Sequence, residues 1–465
     1  MAAQGYDAVV IGGGPGGYVC AIRLGQLGKK TLLVEEYELG GECTNFGCIP
    51  SKIFIAYASK IHSVNKLISA GSASGYVKPN MHALLETKEK VIKRLREGIA
   101  YLLKNNKVEV IKGHAELPSP DEVEITKNTG GKIKVKTRNV VLATGTEPVS
   151  LPSIPFDGRR VISYKEALSL AEVPRSMLVV GAGPIGLELG TAFAKLGAEV
   201  TVVELMKQVL PGLDGDVARV VKRGLDKLGV KTHLETTVEE YSYLGDRLRV
   251  RLTTGDEYEV DYVLVAVGKR AGEWSRKLSS LGVRLNEKGF VVVDDGMRTS
   301  VDGVYAIGDV TGPPFLAHRA SRQGIVAAEN IAGLGTVFDN RAIPNGIFTD
   351  PEVASVGLTE GQAREQGYEV KAARFPFSAL GRGVLEEETD GFVKVVIDAK
   401  SEVILGLHIV APHATELINE ASLAVEMAGT AEDLGYTIHV HPTFGEALSE
   451  AAHAVLGKAI HVARR

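Results

Sequence analysis

Apolar residues in this chain come in short unbroken runs that end in glycine and give way to a helical period. Residues 6–11, YDAVVI, predict a strand buried on both faces. Gly12, Gly14 and Gly17 follow as G-x-G-x-x-G, a helical pattern runs to Leu27, and a second apolar strand, TLLVE, ends on Glu35. The same order then returns. SMLVVG (176–181) leads into Gly181, Gly183 and Gly186, a helix, and EVTVVE ending on Glu204. NVVLATG (139–145), VDYVLVAVGKR (260–270) and VYAIGD (304–309) are further apolar strands that close in turns carrying Gly145, Gly268 and Asp309. A doubly wound sheet places its ligands at strand ends, so Asp309 is a candidate contact to a cofactor polyol, and equally a turn residue or N-cap.

From about Pro344 the pattern changes. GFVKVVIDAKSEVILGLHIV (391–410) predicts an antiparallel strand pair around a polar turn. ATELINEASLAVEMA (414–428) predicts a helix whose apolar residues, Leu417, Ile418, Ala421, Leu423, Val425 and Met427, cover more than one face. Such a helix is buried or lies at an interface.

The glycine patterns carry chemistry because glycine permits a tight turn and lets backbone N–H groups approach a pyrophosphate at a helix N-terminus. Glu35 and Glu204 stand where a carboxylate accepts hydrogen bonds from a ribose. Two complete copies point to two different nucleotide cofactors exchanging electrons. At Glu204 a carboxylate suits the free 2′-hydroxyl of NAD and repels the 2′-phosphate of NADP, with Lys207 nearby to soften that preference.

Between the copies lies GGECTNFGCIPSK (40–52), with Cys43 and Cys48 five positions apart. The spacing leaves three readings: a redox pair, half a metal site, or neither. A four-cysteine zinc site is excluded, because Cys20 is the only other cysteine. Five residues of regular helix rise about 7.5 Å, more than the roughly 4.4–6.8 Å between bridged Cα atoms, so a disulfide needs a bent turn. Gly47 and the first-turn position of Pro50 permit one. Near the end, HVHPTFGEALSEAAHAV (439–455) holds a His-x-His. It lacks the third ligand of a catalytic metal site, and acid–base work by one histidine oriented by Glu446 competes with a plain surface turn.

At 465 residues the chain exceeds one core and predicts two to four domains. Its net charge of −4 gives no support to nucleic-acid or anionic-membrane partners. Three cysteines do not make a secreted disulfide framework, which favours a cytoplasmic location. MAAQGYDAVVIGGG enters a strand at once without the marks of a leader, and no apolar run reaches the roughly 18 residues of a membrane span.

Taken together, the two glycine fingerprints, the spaced cysteines and the terminal HPTxxE resemble those of the pyridine nucleotide–disulfide oxidoreductases, over nearly the whole chain. TRNVVLATG, TSVDGVYAIGD, PNGIFTDPEVASVGLTE and FPFSALGR are similar to that family's later segments. The resemblance implies an α/β fold of two Rossmann-like domains plus a C-terminal α+β dimerisation domain. It implies FAD-binding over 1–149, NAD-binding over 150–275, a central domain returning to FAD over 276–343, and an interface domain over 344–465. FAD would be held near Gly12, Gly14, Gly17, Glu35, Lys52, Gly113, Gly145, Asp309 and Ala317. NAD would be held near Gly181, Gly183, Gly186, Glu204 and Gly268. Cys43 would be the interchange thiol of a Cys43–Cys48 redox disulfide, with Cys48 facing the flavin and Lys52 paired with Glu188. His441, oriented by Glu446, would be the base for the other subunit of a homodimer.

Within the family the chain looks most like members that oxidise dihydrolipoamide and reduce NAD, as subunits of 2-oxo acid dehydrogenase or glycine cleavage systems. The alternatives are a reductase of another small disulfide and a non-catalytic FAD-binding partner subunit. Glu204 argues against a glutathione-type NADPH enzyme. The lack of cysteines after Cys48 argues against mercuric reduction. Glu42, Thr44 and Phe46 depart from the family's usual Thr, Leu and Val. Gln323 stands where an acid is usual, Ala271-Gly272 replace Pro-Asn, and Gly445 replaces Ser.

Overall fold

The computed structural model describes residues 5–463, so the N-terminal tetrapeptide in which a leader would begin lies outside the described residues. Strand Ala8–Ile11 is flanked in parallel by Thr31–Glu35 and Val140–Leu142, with Val10 opposite Leu33 on one side and Val141 on the other. Val304–Ala306 extends the sheet beyond Val140–Leu142. On the far side Glu109–Ser119 joins in parallel and then turns back as an antiparallel meander with Glu122–Lys127 and Lys132–Thr137. Ala8–Ile11 and Thr31–Glu35 are buried throughout, as expected of parallel strands covered on both faces.

Helix Pro15–Gln26 covers this sheet and is itself covered by helix Ala317–Ile331. Small residues set their spacing: a Cβ on Gly324 would fall 2.5 Å from the carbonyl oxygen of Gly16. That close packing brings the head of the second helix back to the first fingerprint, although some 300 residues of chain separate them.

The second copy repeats the first. Ser176–Val180 lies between Glu199–Glu204 and Tyr262–Val265, with Val179 opposite Val202 and Leu264. Lys231–Leu234 and Val161–Ile162 complete a five-stranded parallel sheet. A three-stranded antiparallel sheet, Val238–Leu244, Arg247–Leu252 and Glu257–Val260, precedes the last of its core strands. The α/β class and the paired dinucleotide folds are therefore as the sequence predicts.

The two copies meet through helix Cys48–Ser69, which packs on helix Pro184–Lys195 of the second. Phe54 and Phe193 sit ring to ring at 4.8 Å, both buried. Truncating either to Ala costs about 3–5 kcal/mol by the usual scale for core aromatics. The same apolar cluster continues into Phe392 and Val410 of a third sheet, so no solvent layer divides the parts.

That third sheet is antiparallel, in the order Asn345–Ile347, Glu352–Gly357, Ile404–Ala411, Phe392–Asp398, Val370–Pro376. The strand pair predicted over 391–410 is present. Lys394, only 3% exposed, forms ion pairs with Asp214 (2.5 Å), Asp216 (3.1 Å) and Glu360 (3.3 Å), tying the head of helix Gly215–Lys227 to this sheet. Helix Ala414–Glu426 packs on the sheet through Ile418, Ala421 and Val425 and leaves Leu423 61% and the following Met427 73% exposed. Its extra apolar width thus faces outward. Among the described residues, no helix is long and apolar enough to cross a membrane.

Candidate active site

In the first fingerprint, Gly12 has φ +102° and Gly14 caps helix Pro15–Gln26 with no side-chain hydrogen bond, which leaves the N–H groups of the first turn free for an anion. Gly17 lets the helix close onto the turn, since a Cβ there would lie 1.9 Å from the Gly12 carbonyl oxygen. The buried Glu35 carboxylate accepts from the Gly13 N–H (2.6 Å) and the Tyr37 N–H (2.8 Å). Burial raises its pKa, and those two donors oppose the rise.

The second fingerprint reproduces this geometry. Gly181 has φ +104°, a Cβ on Gly186 would lie 2.1 Å from the Gly181 carbonyl oxygen, and Glu204 accepts from Ala182 N–H (2.7 Å) and Met206 N–H (2.9 Å). Both carboxylates keep lone pairs beyond their backbone bonds. A Cβ added at Gly145, Gly183 or Gly268 meets no protein atom within 4 Å, so these turns bound the two cradles rather than pack the fold. With glycine turns, uncapped helix heads and an acid closing the second strand in each, the residues fit one dinucleotide per copy. Gly113 lies within the meander opposite Lys127, where a Cβ would meet the Thr126 carbonyl at 2.6 Å, and Ala317 opens the returning helix.

The cysteine segment has the bend that a disulfide at this spacing would need. Gly41–Asn45 forms one helical turn carrying Cys43, the chain breaks at Phe46 and Gly47, and Cys48 opens helix Cys48–Ser69 with Pro50 in its first turn. Asn45 fixes the bend by donating to the carbonyls of Leu39 (3.1 Å) and Gly41 (2.8 Å), while its oxygen accepts from Arg96. Cys43 and Cys48 are free thiols here, Cys43 half-buried and Cys48 exposed. Their hydrogen bond, aided by burial, pushes Cys43 well above the ordinary thiol range. The same bond lowers Cys48, with help from Lys52 and the backbone at the helix head. The pair is thus asymmetric, with the thiolate favoured on Cys48.

Lys52 bonds Glu188 at 2.8 Å across the two dinucleotide folds and lies 4.3 Å from the Phe348 ring centre. Glu188 also accepts from the Phe348 N–H at 3.0 Å. One contact was not legible beforehand. Lys269, nearly buried, reaches Glu42 at 2.5 Å and Asp309 at 3.4 Å. Burial works against its cation, and the two carboxylates more than offset that, holding its pKa above the ordinary lysine value. The departure of Glu42 from the family's Thr therefore comes with a partner. Asp309 also accepts from Thr146 at 3.3 Å, and the buried Gln323 carbonyl accepts from the Gly308 N–H at 2.8 Å, fixing the turn that presents Asp309.

In the segment leading into helix Glu446–Val455, His441 Nδ1 pairs with Glu446 at 2.8 Å, and Glu446 also accepts from the Thr443 N–H at 2.8 Å. Among the described residues no hydrogen bond or ion pair joins this dyad to either cysteine. No group of three His, Cys, Asp or Glu suited to a metal occurs among them either.

Residues 6–324 match the family model described as pyridine nucleotide-disulphide oxidoreductase, and residues 343–452 match that of its dimerisation domain. The chain is similar to the dihydrolipoyl dehydrogenase of Thermus scotoductus, 44% identical with 99% of each chain covered. It is 42% identical to dihydrolipoyl dehydrogenase 2 of Haloarcula marismortui, with 98% of each covered. Among solved structures, LpdA from Mycobacterium tuberculosis superposes with a TM-score of 0.88 at 28% identity, over 96% of this chain and 99% of that one. The HOCl-induced flavoprotein disulfide reductase RclA from Escherichia coli gives 0.85 at 26%, again over 96% and 99%.

Proposed function

The chain belongs to the pyridine nucleotide-disulphide oxidoreductases, has dihydrolipoamide dehydrogenase function and uses FAD and NAD, and we propose that it does so through Cys43, Cys48, His441 and Glu446. The observation that carries the assignment is the bent cysteine pair, seated where the Lys52–Glu188 bond joins the two dinucleotide folds. A substrate thiol gives its proton to His441 and, as thiolate, attacks the Cys43 sulfur of the oxidised pair. The Cys43–Cys48 bond breaks, a mixed disulfide forms on Cys43, and Cys48 leaves as the thiolate that its surroundings favour. The second substrate thiol attacks the mixed disulfide, releasing lipoamide and a reduced pair that holds two electrons. FAD, which Gly12, Gly14, Gly17 and Glu35 would hold at the first fingerprint, would supply the acceptor for those two electrons, and NAD+, which Gly181, Gly183, Gly186 and Glu204 would hold at the second, would be the final hydride acceptor. The balance is dihydrolipoamide plus NAD+ giving lipoamide, NADH and a proton.

The roles fit the geometry. Lys52 favours thiolate on both sulfurs, and Glu446 holds the His441 Nδ1 proton so that Nε2 is the basic atom. The chain forms a homodimer through its dimerisation domain. The base and the cysteines are not joined within one chain, which supports a site completed by His441 of one protomer and Cys43 of its partner. The division at 149, 275 and 343 is supported by one sheet drawn mainly from 1–149, a five-stranded parallel sheet within 150–275 and a five-stranded antiparallel sheet within 344–465, while Val304–Ala306 of 276–343 returns to the first sheet. Docking to a 2-oxo acid dehydrogenase assembly is consistent with the relatives' names, and three cysteines favour the cytoplasm.

The test is NAD+ reduction by dihydrolipoamide, run beside NADPH oxidation by glutathione disulfide. Turnover only in the second assay overturns the substrate assignment. His441→Gln is expected to lose about 10²–10⁴-fold in rate, and an unchanged rate would remove the base role.

A further inference from the structure

The other histidine of the His-x-His makes contacts unlike those of His441. His439 Nδ1 lies 2.9 Å from the Thr437 carbonyl oxygen, and its Nε2 lies 2.9 Å from Glu420 Oε1. A carbonyl and a carboxylate only accept, whereas a neutral imidazole carries a single N–H. Only the doubly protonated ring satisfies both contacts. Its side chain is 9% exposed, against 77% for His441. In that setting a nitrogen lone pair facing an oxygen would be costly.

The surroundings agree. The groups facing His439 are Glu420 from helix Ala414–Glu426, the carbonyl of Thr437 on its own segment, and Glu446 at the head of helix Glu446–Val455. The Glu420 bond raises its pKa against burial, and Glu446 adds to the rise. Glu446 in turn feels both His441 and His439, so the two histidines share one carboxylate field. Along the segment, Ile438 (97% exposed) and Val440 (75% exposed) turn outward while His439 turns inward. Gly445 lies against the ring, where a Cβ would make an ordinary contact of 3.4 Å with His439 Cδ2.

We infer that His439 is a charged anchor, a positioning residue that pins the segment carrying His441 to helix Ala414–Glu426. This rests on the base role of His441 proposed above. Bound to two acceptors, His439 takes no proton from substrate. It fixes the backbone two residues before the base, and its charge adds to the donors of Thr443 and His441 that favour the Glu446 carboxylate.

The test compares His439→Gln, Glu420→Gln and His441→Gln, with flavin content and dimer size checked for each. His439→Gln is expected to lower kcat about tenfold, the size of one charge-assisted hydrogen bond, with KM for dihydrolipoamide unchanged. In Glu420→Gln the carboxylate that holds the His439 proton is gone. Its kcat relative to the parent enzyme is therefore expected to fall as pH rises through the imidazole range. His439→Arg, which keeps the charge, is expected to recover part of the loss. A loss that is the same at every pH, or is not relieved by Arg, reduces His439 to a structural contact and overturns the proposal. If His439→Gln does not fold, histidine ring signals of the parent protein decide: the His439 signal is expected to titrate above the ordinary imidazole value, and one that titrates at or below it refutes the anchor. Full activity of His441→Gln would instead bring down the base reading, a result distinct from either His439 outcome.

Discussion

Gly186→Ala separates the two fingerprints in a single substitution. The added Cβ would lie 2.1 Å from the carbonyl oxygen of Gly181, against an ordinary contact of 3.4 Å or more. The head of helix Pro184–Lys195 therefore has to move about 1 Å away from its turn, an overpacking strain worth about 1–3 kcal/mol. Because the moving parts are the Gly181 turn and the free N–H groups that receive the pyrophosphate, that energy falls on cofactor binding. It corresponds to about 5- to 150-fold weaker NAD binding. The assay is titration of NADH affinity together with KM for NAD+, and flavin content is read from the visible absorbance. Gly190→Ala on the same helix is the control, because the nearest atoms to its Cβ, from Val179, Val200 and Val202, lie at 3.5 Å or more. Gly17→Ala, with its Cβ 1.9 Å from the Gly12 carbonyl, is expected to lose flavin instead. Gly186→Ala protein with normal NAD affinity, or with flavin lost and NAD binding kept, would refute the assignment of cofactors to fingerprints.

The charges around the cysteine pair give opposite expectations for two variants. Lys52 lowers the pKa of both thiols and Glu42 raises it, so in the reduced protein Lys52→Met moves the onset of thiol alkylation to higher pH and Glu42→Gln moves it to lower pH, measured by iodoacetamide labelling. Shifts of the same sign would show that the two charges do not govern the pair. Placing a carboxylate on the outward face of helix Ala414–Glu426 and its cap, as Leu423→Glu with Met427→Asp, is expected to yield monomers that retain flavin and lose turnover, since both positions are exposed in the single chain. Sedimentation and an activity assay check this, and an active monomer would exclude a site shared between protomers.

Local patterns made both dinucleotide folds legible. A strand buried on both faces must be apolar throughout, the turn after it requires φ above +100° at Gly12 and Gly181, and helix closure tolerates nothing larger than hydrogen at Gly17 and Gly186. These are demands of neighbouring backbone on neighbouring residues, and they leave a readable trace. A bend between Cys43 and Cys48 followed from the sequence only if the two are bridged, since a regular helix spaces them too far apart for a disulfide, and the bend is present.

What the sequence by itself determined, then, is the identity of the local units: two glycine turns, their two acids, a bent cysteine segment and a histidine with a carboxylate five residues on. What only the tertiary structure decided is which charges meet. Lys269 lies 227 residues after Glu42 and 40 before Asp309, yet it bonds to both, and Lys52 reaches Glu188 across two sheets. His-x-His looked like one motif, but tertiary contacts gave His439 two acceptors and left His441 one, so two histidines two positions apart stand in different surroundings. Local backbone geometry is set within a few residues and is written into the sequence. Ion pairing depends on which surfaces the hydrophobic core brings together, and here clusters such as Phe54 against Phe193 made that choice.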